Sequence, residues 1–388
     1  MGFMSLKKRT IGILGAGQLA QMTCQAGQAL GFEMHVYAQR QDEPAAFVAD
    51  RVWVGDLQDR ERLAEFAQAV SIVTYDTELL PIESVRYIAQ FTQAYPDPEI
   101  LFVAQHRERE RNFLQQCGIA MPRIAFVHSE QEAIAAVQAV GVPAVLKTAE
   151  QGYDGKGQRK ITQSEEVVDA WHQLGELPCV LEEWLDTPLE MSVIVAGAQN
   201  GQILPYPVID NEHRRHILHK STVPSQLPAD AQEQAQQIAI KIATELGLIG
   251  LLTVEMFYTK DGRVLVNELA PRPHNSGHHT QLSTATSQFE QLLRAVSGLD
   301  LGAVTAKPAA MINLLGDLFL TDNERVYQHV GFLDPQNHEE NVYFYGKRAA
   351  RVGRKLGHVI ALGNSVNEAS ERAQRLYDHY AKQPEDVR

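Results

Sequence analysis

The chain has 388 residues, 44% hydrophobic and 21% charged, with a formal net charge of −13. This is ordinary soluble composition, with room for roughly two or three domains. No apolar run approaches the ~20 residues that cross a bilayer, and the acid excess disfavours nucleic acid or an anionic membrane as partner unless a local basic patch intervenes.

Residues 11–14, "IGIL", read as a short buried strand. "GAGQLAQM" then leads into a helix whose stripe is Leu19, Met22, Ala26, Ala29 and Leu30, with Gly31 as its C-terminal cap. "MHVYA" (34–38) and "SIVTYD" (71–76) read as further strands of the same sheet. Strand, Gly-rich turn, helix, strand is a βαβ unit, which makes residues 1–105 an α/β domain with a parallel sheet. The Gly-rich turn admits three readings: a tight turn, a mononucleotide phosphate site, or a dinucleotide site. The last is weakened because Ala20 replaces the third glycine and the second strand runs into Tyr37, Ala38, Gln39 and Arg40, with no acid for a ribose. "MGFMSLKKRT" does not supply a signal-peptide core, and Leu6 stands where a myristoylation signal needs Ser or Thr. Cys24, Cys117 and Cys179 are scattered and without a Cys-x-x-Cys, which points to a reducing, cytoplasmic setting rather than a disulfide frame or a thiolate metal site.

A second region begins near residue 106. "HRERERNFLQQCG" reads as a charged helix ending at Gly118, "VPAVLKT" (142–148) and "CVLEEWL" (179–185) as strands. Between them lies "KTAEQGYDGKGQ", residues 147–158. Lys147 ends a strand, and Gly152, Gly155 and Gly157 surround Lys156. Consecutive amides of such a loop can cradle phosphate oxygens while the lysine supplies a point charge. A flexible surface turn is the plainer alternative, and no Walker pattern is present. Residues 230–247 carry Ala231, Ala235, Ile238, Ile242 and Leu246 at helical spacing. The basic residues cluster at 107–111 and 347–355, and a final helix is expected over 367–382.

"LLTVEMFYTKDGRVLVNEL" is a hairpin signal centred on Asp261-Gly262. If those two residues form the turn, Glu255 lies directly opposite Glu268 on one face. Facing carboxylates repel, and burial worsens the cost. One of them stays protonated, or a cation such as Mg²⁺ bridges them, or the hairpin is an exposed edge with two solvated glutamates.

A Gly loop with a lysine, an extended segment and a carboxylate hairpin, in that order, resemble the ATP-grasp enzymes. "GQLAQM", "EQGYDGKGQ", "NELAPRPHNSGHHT", "TSQFEQLLRAV" and "YGKRAARVGRKLGHV" are similar to segments of the 5-(carboxyamino)imidazole ribonucleotide synthases within that superfamily. The resemblance implies a mixed α/β and α+β architecture. It comprises a Rossmann-like N-terminal domain (1–105), an ATP-grasp domain (106–302) with a mobile lid at about 120–185, and a small mixed C-terminal domain (303–388). It implies ATP- and bicarbonate-dependent carboxylation of 5-aminoimidazole ribonucleotide through carboxyphosphate, with ATP and Mg²⁺ (two ions) bound, in a cytoplasmic homodimer.

By position, the resemblance puts Arg107 and Lys147 on ATP phosphates beneath the loop Gly152, Tyr153, Asp154, Gly155, Lys156, Gly157 and Gln158. Glu182, Glu183, Trp184 and Leu185 hold adenine, Glu190 the ribose, and His213 the nucleotide. Glu255 and Glu268 carry Mg²⁺ beside Asn267. Gln18, Lys347 and Arg354 bind the ribonucleotide 5′-phosphate. Glu78, Tyr153, Asp154, Arg272, His274 and Asn275 line the reacting end, Arg272 stabilising carboxyphosphate charge and Asp154 orienting the amine. The chain departs from the family pattern at Ala16, Ala20, Asp76, Thr77, Leu79, Arg215, His216 and Val352. The rivals are another ATP-grasp ligase, such as a formate-dependent glycinamide ribonucleotide transformylase, and an NAD(P)-dependent oxidoreductase resting on the Gly-rich turn.

Overall fold

The computed structural model describes residues 9–150, 157–186, 188–320 and 338–381. Three sheets organise them. The first is parallel, with strands β1 (Thr10–Leu14), β2 (Glu33–Ala38), β3 (Arg51–Val54), β4 (Ile72–Tyr75) and β5 (Gln93–Ala94) in the order β3-β2-β1-β4-β5. β1, β2 and β4 stand where the sequence places them. β3 carries no clear signal, because both its ends are exposed, and β5 is only two residues long. Helix Gln18–Ala29 follows β1 and ends at Gly31 with φ +84°. Its buried face is wider than the expected stripe: Ala20, Thr23, Cys24 and Gly27 are buried, whereas Ala29 is exposed. The helix packs against both the sheet and helix Gln288–Ser297, so two faces are covered.

The second sheet is antiparallel, with β6 (Ile124–Val127), β7 (Ala144–Thr148), β8 (Gln158–Ile161) and β9 (Cys179–Glu183) in the order β6-β9-β7-β8. Helices Glu130–Val140 and Glu166–Gln173 bury Val137, Val140, Val167 and Trp171 against it.

The third sheet has nine strands: β10 (Leu189–Gly197), β11 (Ile203–Pro205), β12 (Ile209–Arg214), β13 (Ile217–Val223), β14 (Gly250–Tyr258), β15 (Val264–Ala270), β16 (Ala309–Leu315), β17 (Glu340–Phe344) and β18 (Lys355–Leu362). Its path is β15-β14-β10-β12-β13-β16-β18-β17, with β11 beside β10. Helix Ala229–Glu245 lies on it through Ala231, Ala235, Ala239 and Ile242, small side chains at helical spacing that permit close approach. The β13–β16 ladder makes the C-terminal strands continuous with this sheet, and helix Val366–Ala381 buries Ala369, Ala373, Leu376 and Tyr380 beneath them.

The β14–β15 hairpin corrects one expectation and keeps its consequence. The turn is not the two-residue Asp261-Gly262 loop. Thr259 pairs across Lys260, Asp261 and Gly262 with Arg263, its amide donating to the Arg263 carbonyl at 3.0 Å, and Gly262 takes φ +81°. This three-residue loop shifts the register by one. A β-bulge beyond Met256↔Val266, with Asn267 as the extra residue, shifts it back, so Glu255 does stand opposite Glu268.

Candidate active site

Strands from both antiparallel sheets line one cavity of about 570 Å³. Glu78, Arg107, Lys147, Gln158, Glu182, Glu183, Trp184, Leu185, Glu190, His213, Glu255, Asn267, Glu268, Arg272, His274 and Asn275 all face it. Gly157 immediately precedes Gln158, with φ +69°. Gly152, Tyr153, Asp154, Gly155 and Lys156 lie outside the described residues, and so do the roles expected of them.

The two facing carboxylates are held differently. The His274 ring sits 2.8 Å from Glu255. Burial alone would raise Glu255, but the His274 contact outweighs it and holds its pKa down at about 2. Glu268 is pushed up, first by burial and then by the charge of Glu255, while Arg107 approaches it at 3.6 Å. Among the described residues no group of three or more His, Cys, Asp or Glu side chains is arranged to hold a metal ion. Two frustrated oxygen donors at the end of a cavity do fit a hard divalent ion that completes its shell with phosphate oxygens and water.

Behind the bulge lies a network that the sequence reading missed. Arg111 is fully buried and pairs with Glu110 at 2.6 Å and Glu182 at 2.7 Å. It also donates to the Asn267 carbonyl at 2.6 Å, and Glu110 accepts from the Leu269 amide at 2.6 Å. Helix Arg107–Gln116 therefore clamps both sides of the bulge. The available signal was the spacing of Arg107, Glu110, Arg111 and Leu114, an inward stripe written in charged letters.

The expected adenine segment is partly committed elsewhere. The Glu182 carboxylate is not open to a base, because Lys147 donates to it at 2.5 Å beside Arg111. Burial would raise the Glu182 carboxyl, but its cations hold it far below the ordinary range. The amides of Glu183 and Trp184 donate to the carbonyls of Arg123 and Pro143, which leaves the Leu185 end for a ligand. The Glu183 side chain turns to Arg123 at 2.5 Å. Glu190 contacts His213 directly.

At the other end Arg272 grips Glu78 with two guanidinium nitrogens, one at 2.7 Å, which holds Glu78 at about 2 against its burial. His274 is oriented by a chain of side chains: Ser276 at 2.8 Å, then Ser192 at 2.9 Å, then Asn211 at 2.9 Å. Asn275 is 8% exposed, and neither its side-chain oxygen nor its nitrogen has a partner among the described residues. An unsatisfied amide facing a cavity is a poised ligand contact.

Gln18, Lys347 and Arg354 do not line this cavity. They belong to an adjoining locus. The Gly17 amide, just before Gln18, donates to the Asp76 carboxylate at 2.7 Å, so this side chain occupies the helix N-terminus that the phosphate reading assigned to a ligand. Burial raises the Asp76 pKa to about 6. Burial and the charges of Arg354 and Lys355 push Lys347 down to about 7, while Asp76 pulls the other way. Lys355, which the sequence reading did not single out, lines the main cavity and so joins the two loci. Asp76 and Glu78, two residues apart, face one locus each.

Comparison with known proteins follows this layout. The ribonucleotide synthetase preATP-grasp domain matches residues 8–105, the ATP-grasp domain 112–289, and the phosphoribosylaminoimidazole carboxylase C-terminal domain 309–372. The N5-carboxyaminoimidazole ribonucleotide synthase of Bacillus subtilis is 39% identical over 360 residues, covering 92% of each chain. An ADP complex of an N5-carboxyaminoimidazole ribonucleotide synthetase superposes with a TM-score of 0.88 at 34% identity, covering 98% of this chain and 100% of that one. The N5-carboxyaminoimidazole synthetase of Staphylococcus aureus complexed with ADP gives a TM-score of 0.87 at 32% identity, over 98% and 99% of the two chains.

Proposed function

The chain belongs to the N5-carboxyaminoimidazole ribonucleotide synthase family of ATP-grasp ligases, and from that premise we propose how its own residues divide the work. The reaction is the ATP-dependent carboxylation of 5-aminoimidazole ribonucleotide in purine biosynthesis. Bicarbonate oxygen attacks the γ-phosphorus and ADP leaves. The exocyclic amine then takes the carboxyl carbon of carboxyphosphate, and phosphate leaves with the shared oxygen. Phosphoryl transfer of this kind asks the protein for positioning and charge neutralisation more than for covalent help.

The observation that carries the reading is the joining of two unlike loci at Lys355: a carboxylate-ended cavity and a cluster of cations, Lys347 and Arg354 beside Lys355. The cavity suits a nucleoside triphosphate. Leu185 meets the base edge, Glu190 and His213 the ribose, and Lys147 and Arg107 the phosphates. Glu255 and Glu268 would hold magnesium, which neutralises triphosphate charge when bound. The second locus suits the ribonucleotide phosphate on Lys347 and Arg354, near Gln18. Between them Arg272, held by Glu78, is placed for carboxyphosphate charge, and the unsatisfied Asn275 for the imidazole or its amine. Tyr153 and Asp154 complete the reacting end in this proposal. A homodimer and a cytoplasmic setting are part of the same reading, from resemblance and from three free cysteines. Among the described residues, no helix is long and apolar enough to cross a membrane.

The direct test is ADP release from Mg-ATP and bicarbonate, with and without 5-aminoimidazole ribonucleotide. Release that depends strongly on the ribonucleotide is expected. Release driven by glycinamide ribonucleotide and formate would overturn the substrate half.

A further inference from the structure

The hairpin joining β12 to β13 turns through Arg215 and His216, with Arg214 paired to Ile217 at its base. Their φ angles are +52° and +65°, a two-residue turn of the kind that Asn-Gly ordinarily fills. In that region Cβ crowds the following carbonyl oxygen, so residues other than Gly, Asn and Asp are strained there. Among the described residues only one other non-glycine, Glu176, has a positive φ, at +58°.

The strained pair sits on the cavity. Arg215 and His216 both line it, and both are exposed. Other charges of the hairpin are matched, Arg214 to Glu212 at 2.8 Å and Lys220 to Glu212 at 3.0 Å. Arg215 makes no ion pair or hydrogen bond among the described residues. A turn that resists its own residues, and presents an unmatched cation to a binding cavity, keeps strain that a ligand contact explains.

Order along β12 identifies which part of the ligand that is. Asn211 reaches through Ser192 toward His274 and the carboxylate end. His213, two residues on, contacts Glu190. The turn lies two residues further, roughly 7 Å along the strand. β10 runs antiparallel beside β12, so beyond Glu190 it leads back to Pro188 and Leu185, which also line the cavity. The tip therefore stands past the ribose contacts and away from the carboxylate end, with Ile217 at its base against Gly353.

We propose that Arg215 and His216 cap the purine base of the bound nucleotide, the guanidinium plane and the imidazole stacking on its exposed face. A planar cation suits an aromatic face and needs no partner charge there. The inference rests on the nucleotide reading above and adds a base contact to it.

The test is the double variant Arg215→Asn/His216→Gly, which supplies residues at ease in this turn and so folds. Thermal midpoints without ligand, and calorimetric affinities for ADP and AMP, are compared with those of the unaltered chain. The variant is expected to melt about 2–4 °C higher and to bind ADP and AMP weaker by the same factor, about 10-fold. Glu176→Gly relaxes the other strained residue and is expected to leave ADP affinity unchanged. Equal ADP affinity for the double variant and the unaltered chain overturns the cap. A loss seen with ADP but not AMP overturns it too, because the guanidinium then reads phosphate. If the unaltered chain binds neither nucleotide, the functional reading beneath the cap falls with it.

Discussion

Arg111→Met tests the buried clamp behind the bulge. Arg111, Glu110 and Glu182 are 0%, 3% and 2% exposed, so solvent screening offers little relief. Lys147 at 2.5 Å still compensates Glu182 after the substitution. Glu110 keeps only the Leu269 amide, and the Asn267 carbonyl loses its donor. Breaking a buried pair from one side costs about 3–5 kcal/mol. The sign with pH follows from Glu110, whose pKa burial already raises from 4.5 to about 7 with Arg111 present. A carboxyl raised on folding costs nothing below its unfolded pKa and most above its folded one, and losing Arg111 raises it further. The cost should therefore be smaller at pH 5.5 than at pH 8.5, where about 4 kcal/mol is expected. Urea unfolding at the two pH values measures it. Adding Glu110→Gln should restore much of the stability at pH 8.5. A loss below about 1 kcal/mol, or one that is equal at both pH values, would refute the clamp.

Glu268→Gln is expected to leave the fold intact and to remove most ADP release, because one of the facing carboxylates is gone. Unchanged release would take Glu268 out of the metal site. Lys347 is held at about 7, so above that pH it must take up a proton to meet a phosphate. The apparent KM for the ribonucleotide should rise steadily from pH 7 to 9, and Lys347→Arg should flatten that rise. A profile identical in both proteins would contradict the contact. Asp76 rises from 3.8 to about 6 on burial, which at 1.36 kcal/mol per unit is about 3 kcal/mol of cost above pH 6, absent below pH 4. Asp76→Asn should therefore raise the urea midpoint at pH 8 and not at pH 4. An equal effect at both would show that burial of the charge is not the cause.

Much of the local architecture is readable without coordinates. Apolar runs of strand length, Gly31 and Gly118 at helix ends, and the strand–turn–helix opening mark elements that the fold contains. Lys147, Glu190, His213 and the two glutamates of the hairpin, each marked by the sequence, all line the one cavity. Local periodicity reports these features because they depend on neighbours a few residues away.

What the chain alone could not decide are the pairings between distant segments. From sequence, the facing of Glu255 and Glu268 rests on a two-residue turn. It holds instead because a three-residue turn and a bulge at Asn267 cancel. That bulge is pinned by Arg111, 156 positions earlier, on a helix whose charged letters suggest a solvated surface. Asp76, 59 positions from Gly17, fills the helix start that the Gly-rich turn offers to a phosphate on sequence grounds. Lys355 joins the two loci only because β18 is laid beside β16 in the shared sheet. Sequence spacing determines which residues share a face of one element. Burial, and the counter-charges that make burial tolerable, are settled only when elements far apart in the chain pack together.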